Sequence, residues 1–217
     1  MFFKRLFKMF KKEDYYEKQR PNLLYPNEEY INSVENKNKA DLVRMTYIFS
    51  DTCDELKRKK NMLDVGCNDG FFMRHFDWPF DRYVGVDMFS INEYTQLEDI
   101  SGYTKGGKIT YITGLFEKTI LPEKYDFIFA GEIIEHVEDV KKFLSAIDEN
   151  LNGEGLVCLT TPNNVGKEQP EHYRQYNKNT LHRTLSKYFD VVKIEELPAI
   201  NSSWPFLYAK CRKKRTS

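Results

Sequence analysis

MLDVGCNDGFFMRHFDWPFDRYVGVD, residues 62–87, decides how the rest of the chain is read. Met62-Leu63-Asp64-Val65 is a short apolar run closed by the turn formers Gly66, Asn68, Asp69 and Gly70, and Phe71, Phe72, Met73 and Phe76 follow at helical spacing. A second short strand, Tyr83 to Val86, ends on Asp87, 21 positions after Gly66. Strand, glycine turn and helix, with an acid about 20 residues on, is how an α/β fold holds a nucleoside, the acid taking the ribose hydroxyls.

A nicotinamide fingerprint needs G-x-G-x-x-G, so that a pyrophosphate can approach the backbone. Here the turn reads Gly66-Cys67-Asn68-Asp69-Gly70. Asn tolerates the left-handed conformation, so the loop still turns tightly, but the case for a pyrophosphate is weak. Asp64 at the strand end sits better beside a cation, a sulfonium or an α-amino group.

Further strands follow. Lys108 to Thr113 is the third, Tyr125 to Phe129 the fourth, running into Ala130-Gly131-Glu132, and Leu156 to Thr160 the fifth. A helix between the last two runs to about Leu151 with Val140, Phe143, Leu144 and Ile147 inward, and Gly153 and Gly155 turn the chain after it. Polar residues from Val165 to Tyr176 read as a lid, and Asn179 to Tyr188 as a helix with Leu181 and Leu185 inward. Val191 to Glu195 and Phe206 to Cys211 are the sixth and seventh strands. Ahead of the first strand, residues 28–59 are mostly helix-favouring, with Leu42, Met45, Ile48, Phe49 and Leu56 on one face.

LDVGCNDG, VGVD, YDFIFAGEIIEHVED and GLVCLTTPN, in that order, resemble the class I S-adenosylmethionine-dependent methyltransferases, most closely the branch of ubiquinone-biosynthesis, sugar and natural-product O-methyltransferases. The likeness covers roughly residues 40–211. It implies an α/β, Rossmann-like doubly wound sheet of seven strands, mostly parallel with the last antiparallel, helices on both faces, and S-adenosylmethionine as cofactor. Carried onto this sequence, the cofactor residues are Asp64, Gly66, Cys67, Asn68, Gly70, Asp87, Met88, Leu115, Phe116 and Glu132. Leu115 stands where the family usually has an acid for the adenine amino group, so a backbone contact around Leu115 and Phe116 would have to substitute. Helices ahead of the first strand often cover the cofactor in this family, which makes Tyr25 and Tyr30 lid candidates.

Glu132-x-x-Glu135-His136 is the chemically suggestive constellation. Two carboxylates and an imidazole at the mouth of a methyl-donor site can hold a hard divalent cation, Mg2+ or Mn2+, that binds acceptor hydroxyls and lowers the pKa of the attacking one. In this loop the chain is also similar to the small-RNA 3′-terminal 2′-O-methyltransferases, which carry E-x-x-E-H and a later histidine. That likeness implies Glu132, Glu135, His136 and His172 as metal ligands. Without a metal, His136 or His172 is the natural general base and Glu132 lies near the cofactor. Either histidine can equally be a wall of the acceptor pocket.

The composition, 41% hydrophobic and 30% charged over 217 residues, is that of a globular chain able to bury a full core. Cys53, Cys67, Cys158 and Cys211 form no C-x-x-C pair and read as reduced apolar residues in a cytosolic protein. Net charge is zero but unevenly laid out: residues 1–12 and 210–217 each carry five cations and no acid, which leaves the body at about −10. MFFKRLFKMFKK sets Phe3, Leu6, Phe7 and Phe10 against a basic face, the pattern of a helix in a membrane interface at the inner face of a membrane, or of a helix packed on the domain or on a partner. A linker reaches residue 27, and the methyltransferase domain spans 28–217. The expected acceptor is a sugar or glycan, or another small-molecule hydroxyl such as a quinol-type phenol. The acidic body shows no arginine-rich or aromatic-basic platform and argues against nucleic acid. A silent methyltransferase-like scaffold is the remaining reading, supported only by the departures at Asn68 and Leu115.

Overall fold

Two-residue alternation in the middle strands sets the layers. Along β1 (Asn61–Val65), β2 (Arg82–Asp87) and β4 (Tyr125–Gly131), Leu63, Val65, Val84, Val86, Ile128 and Ala130 enter one core. Met62, Tyr83, Phe127 and Phe129, between them in sequence, enter a second. Both sets are buried, which is what a strand covered by helices on both faces requires. The first core is closed by Phe143, Leu144 and Ile147 of a helix over Val140–Asn150 and by Leu181 and Leu185 of another over Lys178–Leu185. The second is closed by Met45, Ile48 and Leu56 of an N-terminal helix, residues 44–52 and 54–56. In chain order these helices are α1 (N-terminal), α2 and α3.

The structure, a computed structural model, describes residues 44–52, 54–68, 70, 80–89, 108–167, 169–198 and 205–214. The amphipathic segment 1–12, the linker to residue 27, Tyr25, Tyr30, Leu42, Cys53 and the helix expected from Phe71 to Phe76 lie outside the described residues. Among those described, no helix is long and apolar enough to cross a membrane.

With β3 (Lys108–Thr113), β5 (Leu151–Pro162), β6 (Phe189–Leu197) and β7 (Phe206–Lys213), the sheet has the order β3-β2-β1-β4-β5-β7-β6. The pairs β3-β2, β2-β1, β1-β4 and β4-β5 are parallel, while β7 runs antiparallel to both neighbours. This is the expected doubly wound seven-stranded sheet. Strand order reverses at β1, so the crevice outside the carboxyl ends of β1 and β4 is the place where such a sheet takes a ligand.

β5 starts earlier than the glycines suggest. Leu151 pairs with Tyr125 and Leu156 with Phe127, so the four residues Asn152 to Gly155 stand opposite Asp126 alone and bulge from the ladder. Buried Leu151 anchors the strand before the bulge, and α2 accordingly ends at Asn150.

Ends of elements are capped by side chains. Asp139 accepts from the N–H groups of Lys141 and Lys142 at the start of α2, and Asn177 forms a capping box with Thr180 on α3. At the other end of α2, Lys213 Nζ donates to the carbonyls of Asp148 (2.5 Å) and Leu151 (2.9 Å). Arg212 pairs with Glu55, and Lys214 Nζ reaches the Lys187 carbonyl at 3.2 Å. The described part of the basic C-terminus is therefore engaged by the fold itself.

α1 is fastened to the sheet by charge as well as by its apolar face. Asp51 accepts from Lys193 Nζ (2.6 Å), Tyr208 OH (3.0 Å) and Lys210 Nζ (3.2 Å), and Glu55 pairs with Lys210 and Arg212. Burial pushes the Asp51 carboxyl up, but these donors outweigh it and hold it below the usual carboxylate range. α1 thus runs alongside β7, from Arg44 over the Phe206 ring at its start to Glu55 beside Arg212 near its end.

Candidate active site

The loop after β1 is wound left-handed three times, with Gly66 at φ +73°, Asn68 at φ +49° and Gly70 at φ +73°. Asn at the middle position does what the missing glycine would do. Gly66 has a second reason to be glycine: a Cβ there would meet Ile133 Cδ1 at 2.6 Å, because the loop after β4 packs directly against it. The Gly66 and Cys67 N–H groups both bond the Val86 carbonyl, which ties the loop to β2.

Asp87 ends β2, half-buried, and its orientation is fixed from two sides. Its Oδ2 accepts from Asn68 N (2.9 Å) and its Oδ1 from Phe89 N (3.0 Å). Asp64, 2% exposed, accepts from Tyr83 OH at 2.7 Å, so this carboxylate lies within the sheet rather than open to the loop. Burial and the Asp64 charge push the Tyr83 phenol well up, which keeps it a donor. Cys67 is buried against β2, where its Sγ would meet a Cβ on Gly85 at 2.7 Å, and its thiol donates to the Asn68 carbonyl at 3.9 Å. Met88 and Leu115 are exposed. The Phe116 ring is buried edge-on to Phe143 at 5.7 Å, in the core beneath the 3-10 turn Phe116–Lys118, so only its backbone is left to meet a ligand, the kind of contact expected there. The Leu115 carbonyl is taken by Lys118 N and Thr119 Oγ1.

Beyond β4 the chain turns on Glu132, a non-glycine residue at φ +53° whose N–H still bonds the Thr160 carbonyl. The turn sends Ile134 into the core and buries the Glu135 side chain at 1% exposure. Glu135 Oε2 accepts from Thr161 Oγ1 (2.9 Å), whereas Oε1 has no hydrogen-bond partner among the described residues and lies 3.8 Å from His136 Nε2. Burial, then the like charge of Glu132, push the Glu135 carboxyl well above the usual carboxylate range.

His172 arrives from the segment after β5. Tyr173 N and Arg174 N bond the Glu135 carbonyl at 2.8 and 3.3 Å, and the Arg174 guanidinium donates to the carbonyls of Val137 (2.5 Å) and Glu138 (2.8 Å). The two imidazoles meet edge-on, centroids 4.7 Å apart. His136 Nδ1 lies 3.1 Å from the Glu171 carbonyl; a carbonyl only accepts, so Nδ1 carries a proton. Buried Asn164 sits 3.0 Å from His172 Nδ1, and the orientation of that amide sets the His172 tautomer.

Glu135, His136 and His172 each place one donor atom within 4.8 Å of the other two. Donors across one ion with bonds near 2.1 Å stand at most ~4.2 Å apart, so this set fits a divalent ion after closing by about half an ångström. Glu132, expected as a fourth ligand, stands apart. Its Oε1 contacts Arg44 Nη1 at 2.8 Å, an ion pair without a linear N–H···O bond. Arg44 is 6% exposed and also lies over the Phe206 ring at 4.8 Å. Neither Arg44 nor Asn164 was singled out by the sequence; the polar residue inside the apolar face of α1 was the available signal for Arg44.

A nucleoside crevice with an oriented acid and, at its mouth, a loop carrying carboxylates and imidazoles define the class: a Rossmann-like methyltransferase fold. The family model described as "Methyltransferase domain" matches residues 35–197, and the chain belongs to that family. Among curated proteins it is similar to a ubiquinone biosynthesis O-methyltransferase of Bradyrhizobium sp. (strain ORS 278), 30% identical over 135 residues, 58% of this chain and 52% of the relative. The chain spans about half the length of the curated relatives it matches. Among solved structures, the N-methyltransferase NodS of Bradyrhizobium japonicum WM9 in complex with S-adenosyl-L-homocysteine superposes with TM-score 0.69 at 16% identity, covering 92% of this chain and 98% of NodS. The small RNA methyltransferase HEN1 superposes with TM-score 0.64 at 14% identity, covering 82% of this chain and 26% of HEN1. These two likenesses speak to the fold.

Proposed function

We propose that the chain transfers the methyl group of S-adenosylmethionine to a hydroxyl oxygen of a small acceptor, by preference a sugar or glycan unit. The observation that carries the oxygen acceptor is the pair of imidazoles beside a buried carboxylate at the mouth of the crevice. The curated relatives, named for ubiquinone biosynthesis, favour a phenolic hydroxyl as the second reading.

When bound, the cofactor supplies an electrophilic methyl group on a sulfonium. Asp87 would hold its ribose, oriented by the N–H groups of Asn68 and Phe89, and the left-handed loop from Gly66 to Gly70 would leave room at the carboxyl end of β1. Leu115 would border the base as an apolar wall. Without a metal, His136, its Nδ1 proton on the Glu171 carbonyl, would present Nε2 to take the acceptor's proton; with one, that nitrogen would be a ligand instead. Glu135, His136 and His172 are the residues that would hold a divalent ion, which would lower the pKa of the acceptor hydroxyl. The segment carrying His172 is laid against this loop by the bonds of Tyr173 N and Arg174 N to the Glu135 carbonyl. Most of the acceleration would come from holding acceptor and methyl in line.

On the same reading residues 1–12 hold the enzyme to the cytoplasmic face of a membrane. Co-sedimentation with anionic liposomes, with and without residues 1–12, tests this; equal partitioning ends it. The function itself is tested by turnover with methyl-tritiated S-adenosylmethionine over nucleotide sugars, oligosaccharides, catechols and 3′-hydroxyl RNA. Label appearing as a base-stable ether on a sugar or phenol is the expected result. Label on nitrogen, label only on RNA, or no label with S-adenosylhomocysteine bound sinks the acceptor assignment, and the last outcome favours the scaffold.

A further inference from the structure

Three residues stand in one row across the sheet, on the face of the second core. Tyr111 of β3 pairs with Gly85 of β2, and Gly85 with Asp64 of β1. The middle residue has no side chain, and its neighbours use the gap. A Cβ on Gly85 would meet the Tyr111 ring at 3.0 and 3.1 Å and Cys67 Sγ at 2.7 Å. The Tyr111 ring therefore leans across β2, and its buried hydroxyl ends against Gly70, 2.5 Å from where a Cβ would be. Neighbouring strands lie about 4.8 Å apart, so a side chain of β3 reaches the loop after β1 only by being long and by crossing a glycine.

Cys67 and Gly70 are the two ends of one turn, closed by Gly70 N on the Cys67 carbonyl at 2.8 Å. Between them stands Asn68, whose N–H holds Asp87 Oδ2 at 2.9 Å. Both ends of the turn rest on the slot over Gly85, Cys67 by its sulfur and Gly70 on the phenol, while its middle orients the carboxylate at the end of β2. The slot is stiffened by the edge-on contact of Tyr111 with Tyr83, centroids 6.4 Å apart, and by the bond of Tyr83 OH to Asp64.

We propose that Tyr111 is a positioning residue for the cofactor: its ring, passed over Gly85, props the turn from Cys67 to Gly70 and, through the Asn68 N–H, sets the Asp87 carboxylate for the ribose hydroxyls. This rests on the reading above that Asp87 holds the ribose. Without the ring, the slot over Gly85 becomes a void in a close-packed interior and Gly70 loses the surface on which it turns. A hydrogen bond weakens steeply once its geometry departs from linear, so a small settling of the turn is felt at the carboxylate. Because Tyr111 acts through Asp87, selectivity for the ribose hydroxyls, rather than affinity alone, is the property it moves.

The test uses the full chain and calorimetric titration with S-adenosylhomocysteine and with its 2′,3′-dideoxy analogue, each variant first shown to melt cooperatively. The ratio of the two affinities reads the hydroxyl contacts. Asp87→Ala is expected to lower that ratio about tenfold or more, the size of a bond to a charged group. Tyr111→Ala is expected to lower the same ratio by at least about fivefold although Asp87 is still present. A second comparison reads the contact itself and decides the matter if Tyr111→Ala does not fold. Gly70→Ala is expected to cost about tenfold more affinity in the wild-type background than in Tyr111→Phe, where the phenol oxygen is gone and the nearest ring atom is Cζ at 3.4 Å. The strain of a left-handed alanine is common to both backgrounds and cancels. A folded Tyr111→Ala chain with an unchanged ratio overturns the proposal, as does a Gly70→Ala loss that is equal in the two backgrounds. If Asp87→Ala itself leaves the ratio unchanged, the ribose reading fails, and the proposal with it.

Discussion

Asp51→Asn should loosen α1 from the sheet, and the loss should depend on pH. In the folded chain Asp51 accepts from Lys193, Tyr208 and Lys210, of which Lys210 is nearly buried. Removing one partner of a buried pair costs about 3–5 kcal/mol when the other is left uncompensated. Here Lys210 keeps Glu55 and Lys193 keeps Glu195, so about 2 kcal/mol is expected, the lower range for a bond to a charged group. In a domain of this size that lowers Tm by ~4–8 °C. The folded-state pKa of Asp51 is depressed, so its contribution is present above the unfolded value, near 3.9, and disappears as pH falls through the lower folded value. Urea unfolding of wild type and variant by circular dichroism should therefore give a constant difference from pH 5 to pH 7 that shrinks below pH 4. An equal midpoint for the two proteins at pH 7, or a difference that persists at pH 2, would refute the network as the fastening of α1.

Glu135→Gln should stabilise the metal-free chain increasingly as pH rises. The folded pKa is raised, so wild type is favoured below the unfolded value and loses about 1.4 kcal/mol per pH unit above it, while the amide keeps the Thr161 bond and does not titrate; urea midpoints in chelator at pH 5 and pH 7 check the sign. Gly66→Ala should weaken S-adenosylhomocysteine binding by tenfold or more in calorimetry, since the Cβ strains φ +73° and strikes Ile133; unchanged affinity would mean the loop is not part of the cofactor site. Arg174→Met removes two bonds to the carbonyls of Val137 and Glu138 and should raise the acceptor KM at least tenfold with little change in cofactor affinity; a parallel loss of both would point to general unfolding.

What the sequence carried and what it did not divide along one physical line. β1, β2 and β4 were legible because burial on both faces forces continuous apolar runs, and Asp87 because a strand end followed by a turn is a local pattern. The bulge at Asn152 to Gly155 was read as a turn, since glycines mark both and only the pairing of Leu151 with Tyr125 separates them. Phe116 follows β3 in a place the sequence marks, but that its ring packs on Phe143 of α2 is a tertiary contact no local pattern carries. The C-terminal cations looked like a surface feature, but Lys213 caps α2 and Arg212 pairs with α1.

The loop after β4 shows the same division within a few residues. E-x-x-E-H announces donors, and the fold brings Glu135 and His136 to His172 through backbone bonds from Tyr173 and Arg174. Which donors face one another depends on the left-handed turn at Glu132 and on a guanidinium from a helix far away in sequence. A motif fixes residue types at a spacing, whereas the charge available to a ligand depends on which of those types another element has already neutralised. Arg44 is such an element: its guanidinium meets Glu132 Oε1 at 2.8 Å, so the net charge of the loop depends on a residue that the motif does not contain.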